Sequence, residues 1–145
     1  MSSAAQAVTI VMIEDDEGHA RLIQKNLQRA GVFNQVNHFA DGTSAVQFLF
    51  GPARPDGQPI LVLLDLNLPD MSGLDILARL KEHEELRRMP VIVLTTTDDQ
   101  REIQRCYELG CNVYITKPVN YESFANAIRQ LGLFFSVIKV PETAL

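Results

Sequence analysis

An apolar segment that ends abruptly in a single carboxylate is the feature that most constrains how this chain folds. Residues 60–64 read Ile-Leu-Val-Leu-Leu, Asp65 follows at once, and Pro69 and Gly73 come shortly after it. A short, wholly apolar run bounded by turn-forming residues is typical of a parallel strand that is buried on both faces. The pattern therefore predicts that a strand delivers Asp65 to the open end of a sheet.

Four further apolar runs alternate with helical patterns along the chain. Strands are predicted at residues 8–13, 35–39, 60–64, 91–94 and 113–116. Helices are predicted at residues 17–30, from 41 onward, at about 72–83, at 99–110 and from 120 onward. Strands that alternate with helices and short loops form parallel sheets, because each helix returns the chain to the starting edge. The sequence thus predicts an α/β fold, a flavodoxin-like (βα)5 doubly wound sheet of five parallel strands.

The length of the chain, 145 residues, is enough for one domain with one good core. We expect that core at about residues 8–132, followed by a C-terminal extension at about residues 133–145. No linker, repeat or low-complexity segment points to a second domain, so we expect no separate output domain. In the third helix, Leu74, Leu77, Ala78 and Lys81 recur at helical spacing and are predicted to share one face.

Composition excludes several classes of function. The net charge of −5 argues against nucleic-acid binding, which needs clustered cations. No apolar run approaches the ~20 residues that span a bilayer, and residues 1–7 lack the features of a signal peptide, so we expect a cytoplasmic protein. Cys106 and Cys111 lack the spacing of a metal site and are predicted to be reduced, partly buried thiols.

Polar residues of types suited to catalysis or metal binding end or follow four of the predicted strands. Glu14 and Asp15 come after the first strand, Asp65 after the third, Thr95 ends the fourth and Lys117 follows the fifth. In open parallel sheets, function gathers beyond the carboxyl ends of the strands, near the point where strand order reverses. We therefore expect these side chains to meet, although far apart in sequence.

Carboxylates brought that close repel one another unless a cation neutralises them. Hard oxygen ligands in a half-open site suit Mg²⁺, or another divalent cation such as Mn²⁺ or Ca²⁺. Asp15 and Asp65 are the expected carboxylate ligands, with Glu14 binding directly or through water. The backbone carbonyl of Asn67 is a further candidate ligand.

A hydroxyl and an ammonium group beside such a metal site suit phosphoryl transfer. Thr95 and Lys117 can stabilise the oxygens of a phosphoryl group while Asp65 attacks as the nucleophile. The expected product is an aspartyl phosphate.

This set of residues resembles the receiver domain of two-component response regulators over about residues 8–132. The resemblance implies phosphorylation of Asp65 by a sensor histidine kinase, without multiple turnover on an external substrate. It also implies that Thr95 and Tyr114 act as switch residues, and that the peptide bond from Lys117 to Pro118 is cis. Glu14 replaces the Asp that is usual in the family, and Thr96 stands where a small residue is usual.

A narrower resemblance links the chain to single-domain regulators of phytochrome histidine kinases. It rests on the segments LLDLNLP at 63–69, PVIVLTT at 90–96 and NVYITKP at 112–118, and on the Phe-rich tail. The resemblance implies a bacteriophytochrome-type kinase as partner and signalling through protein contacts. An alternative is a phosphotransfer intermediate in a longer relay.

Other interpretations of the same residues stay open. A phosphohydrolase with an aspartyl nucleophile needs a second Asp as general acid, and this chain has Asn67 there. A flavodoxin-like cofactor binder needs small residues after the first strand to hold phosphate, and this chain has three acids at 14–16. A degenerate receiver would be only a docking module. Asp16 is expected to cap the first helix, and Tyr114 could be a core aromatic instead of a switch.

The tail at residues 134–140 is unexpectedly apolar for a chain end. It contains Phe134, Phe135, Val137, Ile138 and Val140. Soluble proteins rarely leave such a contiguous apolar patch exposed to water. They either pack back on their own domain or, as we favour, form a homodimer together with the last helix.

Overall fold

The computed structural model describes residues 8–54, 57–96 and 98–131. The strands are β1 Thr9–Ile13, β2 Val36–Phe39, β3 Ile60–Asp65, β4 Val91–Thr95 and β5 Val113–Thr116. The helices are α1 Glu17–Arg29, α2 Gly42–Phe50, α3 Gly73–Glu82, α4 Gln100–Leu109 and α5 Tyr121–Leu131, with a 3₁₀ turn at Leu86–Arg88. The extension predicted at 133–145 lies outside the described residues. In the part of the chain that is described, no helix combines the length and the hydropathy needed to cross a membrane.

The five strands form one parallel sheet in the order β2-β1-β3-β4-β5. The predicted fold class is therefore confirmed. The strand order reverses between β1 and β3, which makes the gap at their carboxyl ends the switch point of the sheet. In the register of these two strands Ile13 pairs with Leu64, so that the next residues, Glu14 and Asp65, emerge side by side.

Both faces of the sheet are covered by helices. Because successive strand residues point to opposite sides, each strand contributes side chains to both cores. On β1, Ile10 and Met12 belong to the core that packs against α1 and α5. Val11 and Ile13 belong to the core that packs against α2, α3 and α4. Each of these four side chains is fully buried. This explains why the strands are apolar throughout instead of alternating.

The face that α3 presents to the sheet differs from the predicted one. Leu77 is buried as expected, but its buried companions are Ile76 and Leu80. Leu74 and Lys81, which were expected on that face, are only half-buried, and so is Ala78. The helix is thus rotated relative to the prediction, toward the stripe 73, 76, 77 and 80.

The close approach of Gly73 to the end of β3 accounts for this rotation. A Cβ atom at Gly73 would lie 2.5 Å from the carbonyl oxygen of Asp65 and 2.6 Å from the Cα atom of Leu66. Only glycine fits there, so the first turn of α3 is pressed against the strand end. That tertiary contact sets which stripe of the helix faces the core.

The two cysteines lie at the end of α4, where Gly110 adopts a left-handed conformation with φ of 108°. Both thiols are free, and both are buried more completely than the partial burial that was predicted. Burial raises the pKa of Cys106 to about 11 and that of Cys111 to about 12, so both are protonated at neutral pH. The N–H of Cys111 donates to the carbonyl of Cys106 at 3.0 Å, which closes the helix end.

We expect Leu80→Ala to lower the free energy of unfolding by about 2–5 kcal/mol, because it removes a fully buried side chain and leaves a cavity. Leu74→Ala, on the half-buried side of the same helix, should cost clearly less. Urea denaturation followed by circular dichroism measures both. A larger loss for Leu74→Ala would contradict the observed rotation of α3.

Candidate functional site

Three carboxylates meet at the carboxyl edge of the sheet. Glu14 and Asp15 follow β1, and Asp65 is the last residue of the neighbouring strand β3. Each offers an oxygen atom, and these atoms all lie within 4.8 Å of one another. Side chains that were predicted to converge from distant parts of the sequence are therefore close enough to share one cation.

The three carboxylates differ in their exposure. Glu14 and Asp65 are buried, with 1% and 6% of their surface exposed, whereas Asp15 is exposed. A cavity of about 560 Å³ opens beside Asp15 and is walled by the loop at residues 66–72. The cluster is thus half-open, and a small ligand can reach it from solvent on the side of Asp15.

Lys117 brings a positive charge into the same cluster. Its Nζ atom contacts Oε1 of Glu14 and lies 3.3 Å from Oδ2 of Asp65. The lysine side chain is 8% exposed, so its charge is little screened by solvent. The peptide bond between Lys117 and Pro118 is cis, as the resemblance implied.

The charges of the cluster do not balance. Three carboxylates face one ammonium group, which leaves two negative charges without a partner inside the cluster. Burial raises the pKa of Glu14 above its ordinary value, and the charge of Asp65 raises it further; the contacts with Lys117 and the N–H of Asp16 act in the opposite direction. Two excess charges on oxygen donors at an open site are what a divalent cation would complete.

Thr95 stands at the end of β4, directly beside this group. In the register of β3 and β4, Asp65 pairs with Leu94, so Thr95 emerges one position beyond it. Thr95 is fully buried, and its carbonyl accepts a hydrogen bond of 2.7 Å from the N–H of Lys117. The backbones at the ends of β4 and β5 are therefore linked.

Asn67 lies in the loop that follows β3, where it was expected. Its N–H donates to Oδ1 of Asp65 at 3.1 Å, and its side chain is exposed. One carboxylate oxygen of Asp65 thus faces the loop, while the other faces Lys117.

Tyr114 is half-buried on β5 and packs against the core on the side of α4. Burial raises the pKa of its hydroxyl to about 12, and the neighbouring Cys106 and Glu102 contribute. The tyrosine is therefore neutral at physiological pH. Its position between α4 and the sheet is compatible with either predicted role, core aromatic or switch.

His19 lies beside the cluster, although it is not among the site residues predicted from the sequence. Its Nδ1 atom lies 3.3 Å from Nζ of Lys117 and 3.9 Å from Oε2 of Glu14, although the side chain is 47% exposed. The sequence carried a signal for this position. Asp16 caps α1 by accepting from the N–H of His19 at 2.9 Å, so this histidine must lie in the first turn of a helix that begins at the site.

The fold and the acidic edge together define the class of protein as a flavodoxin-like α/β domain with a cluster of carboxylates at the carboxyl edge of its sheet. The loop after β1 carries acids in place of the small residues that hold a phosphate in cofactor binders. The family model described as "Response regulator receiver domain" matches residues 10–129. The chain therefore belongs to the response regulator receiver domain family.

Known proteins similar to this chain agree with that assignment. A response regulator receiver domain from Rhodospirillum rubrum is 70% identical, with a TM-score of 0.74, and the match covers 93% of this chain and 98% of that one. The bacteriophytochrome response regulator RtBRR is 36% identical, with a TM-score of 0.81 and coverages of 94% and 84%.

Response regulator Rcp1 from Synechocystis is 34% identical over 128 residues, which is 87% of each chain. A solved structure of Rcp1 is described as its Mn²⁺-bound form. It has a TM-score of 0.70 to this chain at 31% identity, with coverages of 92% and 99%.

We expect Lys117→Met to lower the free energy of unfolding at neutral pH by about 3–5 kcal/mol in the presence of EDTA. The substitution leaves the buried carboxylates of Glu14 and Asp65 without the ammonium group that neutralises them. The loss should shrink as the pH falls toward the raised pKa of Glu14, since protonation removes one of the unpaired charges. Urea denaturation at several pH values measures this. Lys25→Met, at an exposed lysine of α1, is the control. A Lys117→Met protein as stable as the wild type at neutral pH would contradict the described charge balance.

Proposed function

We propose that this protein is a phosphoacceptor of a two-component system. Asp65 takes a phosphoryl group from the phosphohistidine of a sensor kinase, in a reaction that requires Mg²⁺ or a similar divalent cation. The observation that carries the proposal is the cluster at the sheet edge, in which Asp65 lies among acidic oxygens and beside the ammonium group of Lys117. Membership of the receiver family supports the same reaction.

The residues present fit a divalent cation, because the cluster holds oxygen donors and an excess of negative charge. Glu14, Asp15, Asp65 and the backbone carbonyl of Asn67 are the proposed ligands. When bound, the cation neutralises charge on the phosphoryl oxygens and on the carboxylates around them. The Mn²⁺-bound form of the relative Rcp1 is consistent with such a site.

The chemical step is a displacement at phosphorus. An oxygen of Asp65 forms a bond to phosphorus as the bond to the donor's imidazole nitrogen breaks, and the imidazole leaves with the electron pair of that bond. Lys117 already lies 3.3 Å from one oxygen of Asp65, so its ammonium group is placed to bind an oxygen of the new phosphoryl group. The hydroxyl of Thr95, at the adjacent strand end, is proposed to bind another.

Signalling follows from the movement of these same groups. A phosphoryl group on Asp65 adds negative charge that attracts Lys117 and the hydroxyl of Thr95. Because the backbones of these two residues are hydrogen-bonded, the ends of β4 and β5 are expected to shift together. Tyr114 on β5 then follows, and the surface made by α4, β5 and α5 changes for a protein partner.

A bacteriophytochrome-type histidine kinase is the proposed donor. Support comes from the three sequence segments described above and from the similarity to the bacteriophytochrome response regulator RtBRR. A role as phosphotransfer intermediate is compatible with the same chemistry. The cytoplasmic location inferred from the N-terminal sequence stays a prediction.

The phosphohydrolase alternative has less support from the site. Such enzymes carry their general acid as a second Asp two positions after the nucleophile, where it protonates the leaving group and activates water. The residue two positions after Asp65 is Asn67, whose amide cannot do this. We therefore propose one phosphorylation per cycle instead of turnover on an external ester.

Incubation with acetyl phosphate and Mg²⁺ is expected to add the mass of one phosphoryl group to the intact protein. Asp65→Asn and EDTA should each abolish the gain, because one removes the nucleophile and the other the cation. Asp75→Asn, at an exposed carboxylate of α3, should leave it unchanged. Intact mass spectrometry reads the result, and an undiminished gain in Asp65→Asn would refute Asp65 as the acceptor.

The partner is tested with the phosphorylated kinase itself. A bacteriophytochrome kinase should transfer its phosphoryl group faster than an unrelated histidine kinase at equal concentrations. Equal rates from the two would remove the support for a phytochrome partner without affecting the chemistry of Asp65.

A homodimer formed by α5 and the apolar tail is a separate proposal, supported by the five large apolar residues between 134 and 140. Removal of residues 134–145 is expected to leave the fold intact and to yield a monomer. Circular dichroism and light scattering measure the two properties. A full-length protein that is already monomeric would defeat the proposal and would favour packing of the tail on its own domain.

A further inference from the structure

The loop that joins β3 to α3, residues 66–72, forms one wall of the cavity beside the carboxylate cluster. Its base is closed by local contacts. The N–H of Asn67 donates to Asp65 at 3.1 Å, and the N–H of Gly73 donates to the carbonyl of Leu66 at 2.9 Å. A β-bridge also pairs Asn67 with Ser72. None of these contacts holds the outer part of the loop.

The outer part of the loop is bound to the start of α2 by the carboxylate of Asp70. Oδ1 of Asp70 accepts from the N–H of Gly42 at 2.8 Å, and Oδ2 accepts from the N–H of Thr43 at 2.7 Å. The hydroxyl of Thr43 donates to the same oxygen. The hydroxyl of Thr43, followed by the backbone donors, lowers the pKa of Asp70 to about 2, so the carboxylate is ionised at all physiological pH values.

A second contact joins the same two segments. A Cβ atom at Gly42 would lie 2.7 Å from Sδ of Met71 and 3.2 Å from Oδ1 of Asp70. A side chain at Gly42 would therefore push the loop away. The loop and the first turn of α2 are in direct contact, and a glycine makes this possible.

The helix does not need Asp70 for its own capping. Asp41 is the N-cap residue of α2, and its Oδ1 accepts from the N–H of Ser44 at 2.7 Å. A single capping side chain is what most helices have at this end. The additional carboxylate of Asp70 comes from the loop, so the bond it makes restrains the loop as well as the helix.

We propose that Asp70 is a positioning residue for the divalent-cation site. By binding the outer part of the 66–72 loop to α2, it adds a tertiary restraint to the loop whose base holds the backbone of Asn67 beside Asp65. The inference rests on the proposed function, since it concerns the residue that supports a proposed ligand. Groups that orient metal ligands without touching the metal commonly change metal affinity by about 10–100-fold when removed.

Binding of Mn²⁺ to the full-length protein, followed by the electron paramagnetic resonance of the free ion, tests this directly. We expect Asp70→Ala to weaken Mn²⁺ binding by about 10-fold. Thr43→Val removes one hydrogen bond of the same contact and keeps the carboxylate charge, so it should weaken binding in the same direction but by less.

Two control variants separate positioning from stability and from charge. Asp41→Ala removes a cap from the same helix without touching the loop, and Asp75→Asn removes an exposed charge on α3. Both should bind Mn²⁺ as the wild type does. The thermal unfolding temperature of every variant is measured as well, so that the loss of stability in Asp41→Ala can be compared with that in Asp70→Ala.

Three outcomes would overturn the inference while the cation site stands. The first is an Asp70→Ala variant that binds Mn²⁺ with wild-type affinity, and the second is an Asp41→Ala variant in which Mn²⁺ binding is weakened equally. The third is a Thr43→Val variant with wild-type affinity for Mn²⁺, because the effect of Asp70→Ala would then be due to the lost charge. A wild-type protein that binds no Mn²⁺ would instead refute the cation site itself, and the inference with it.

Discussion

The repulsion among three carboxylates held at one sheet edge is the constraint on which the rest of the site depends. Glu14 and Asp65 are almost fully buried, so water compensates their charges only weakly. The ammonium group of Lys117 offsets one charge and is drawn into contact with both residues. The remaining negative charge is the basis of the proposed affinity for a cation. In the proposed reaction it also means that groups near Asp65 must respond when a phosphoryl group arrives.

The apolar core supplies the free energy that keeps these charges together. Strands buried on both faces pair β1, β3 and β4 in one register, and a shift by one residue would move each side chain into the core on the opposite face, where it does not fit the packing. The same register carries Glu14, Asp65 and Thr95 to neighbouring positions. Electrostatic strain at the edge is therefore tolerated because displacing any one strand would cost far more in lost burial.

The residues around the carboxylate cluster lie on two sides, which differ in the contacts that hold them. Asn67 and Asp70 belong to a loop that is bound at its base and at its outer part. Thr95, Lys117 and Tyr114 lie on the other side, on the paired strands β4 and β5 or directly after them, and Tyr114 packs in the core that includes α4. This asymmetry suits the proposed switch, in which the Asp70 side would stay in place while the Thr95 and Lys117 side responds to phosphorylation.

The sequence by itself determined the five strands, the parallel sheet and the set of residues at its carboxyl edge. This is because apolar runs and turn-forming residues are local features of the sequence. The tertiary structure decided between the two stripes of α3 that contain Leu77, and the stripe that faces the core is the one that begins at Gly73, in contact with the end of β3. It also decided the nearness of His19 to Lys117 and the binding of Asp70 to α2. The spacing of apolar residues in a segment indicates which of its side chains are buried. Contacts between polar side chains from separate segments depend instead on distances that exist only after the sheet has formed.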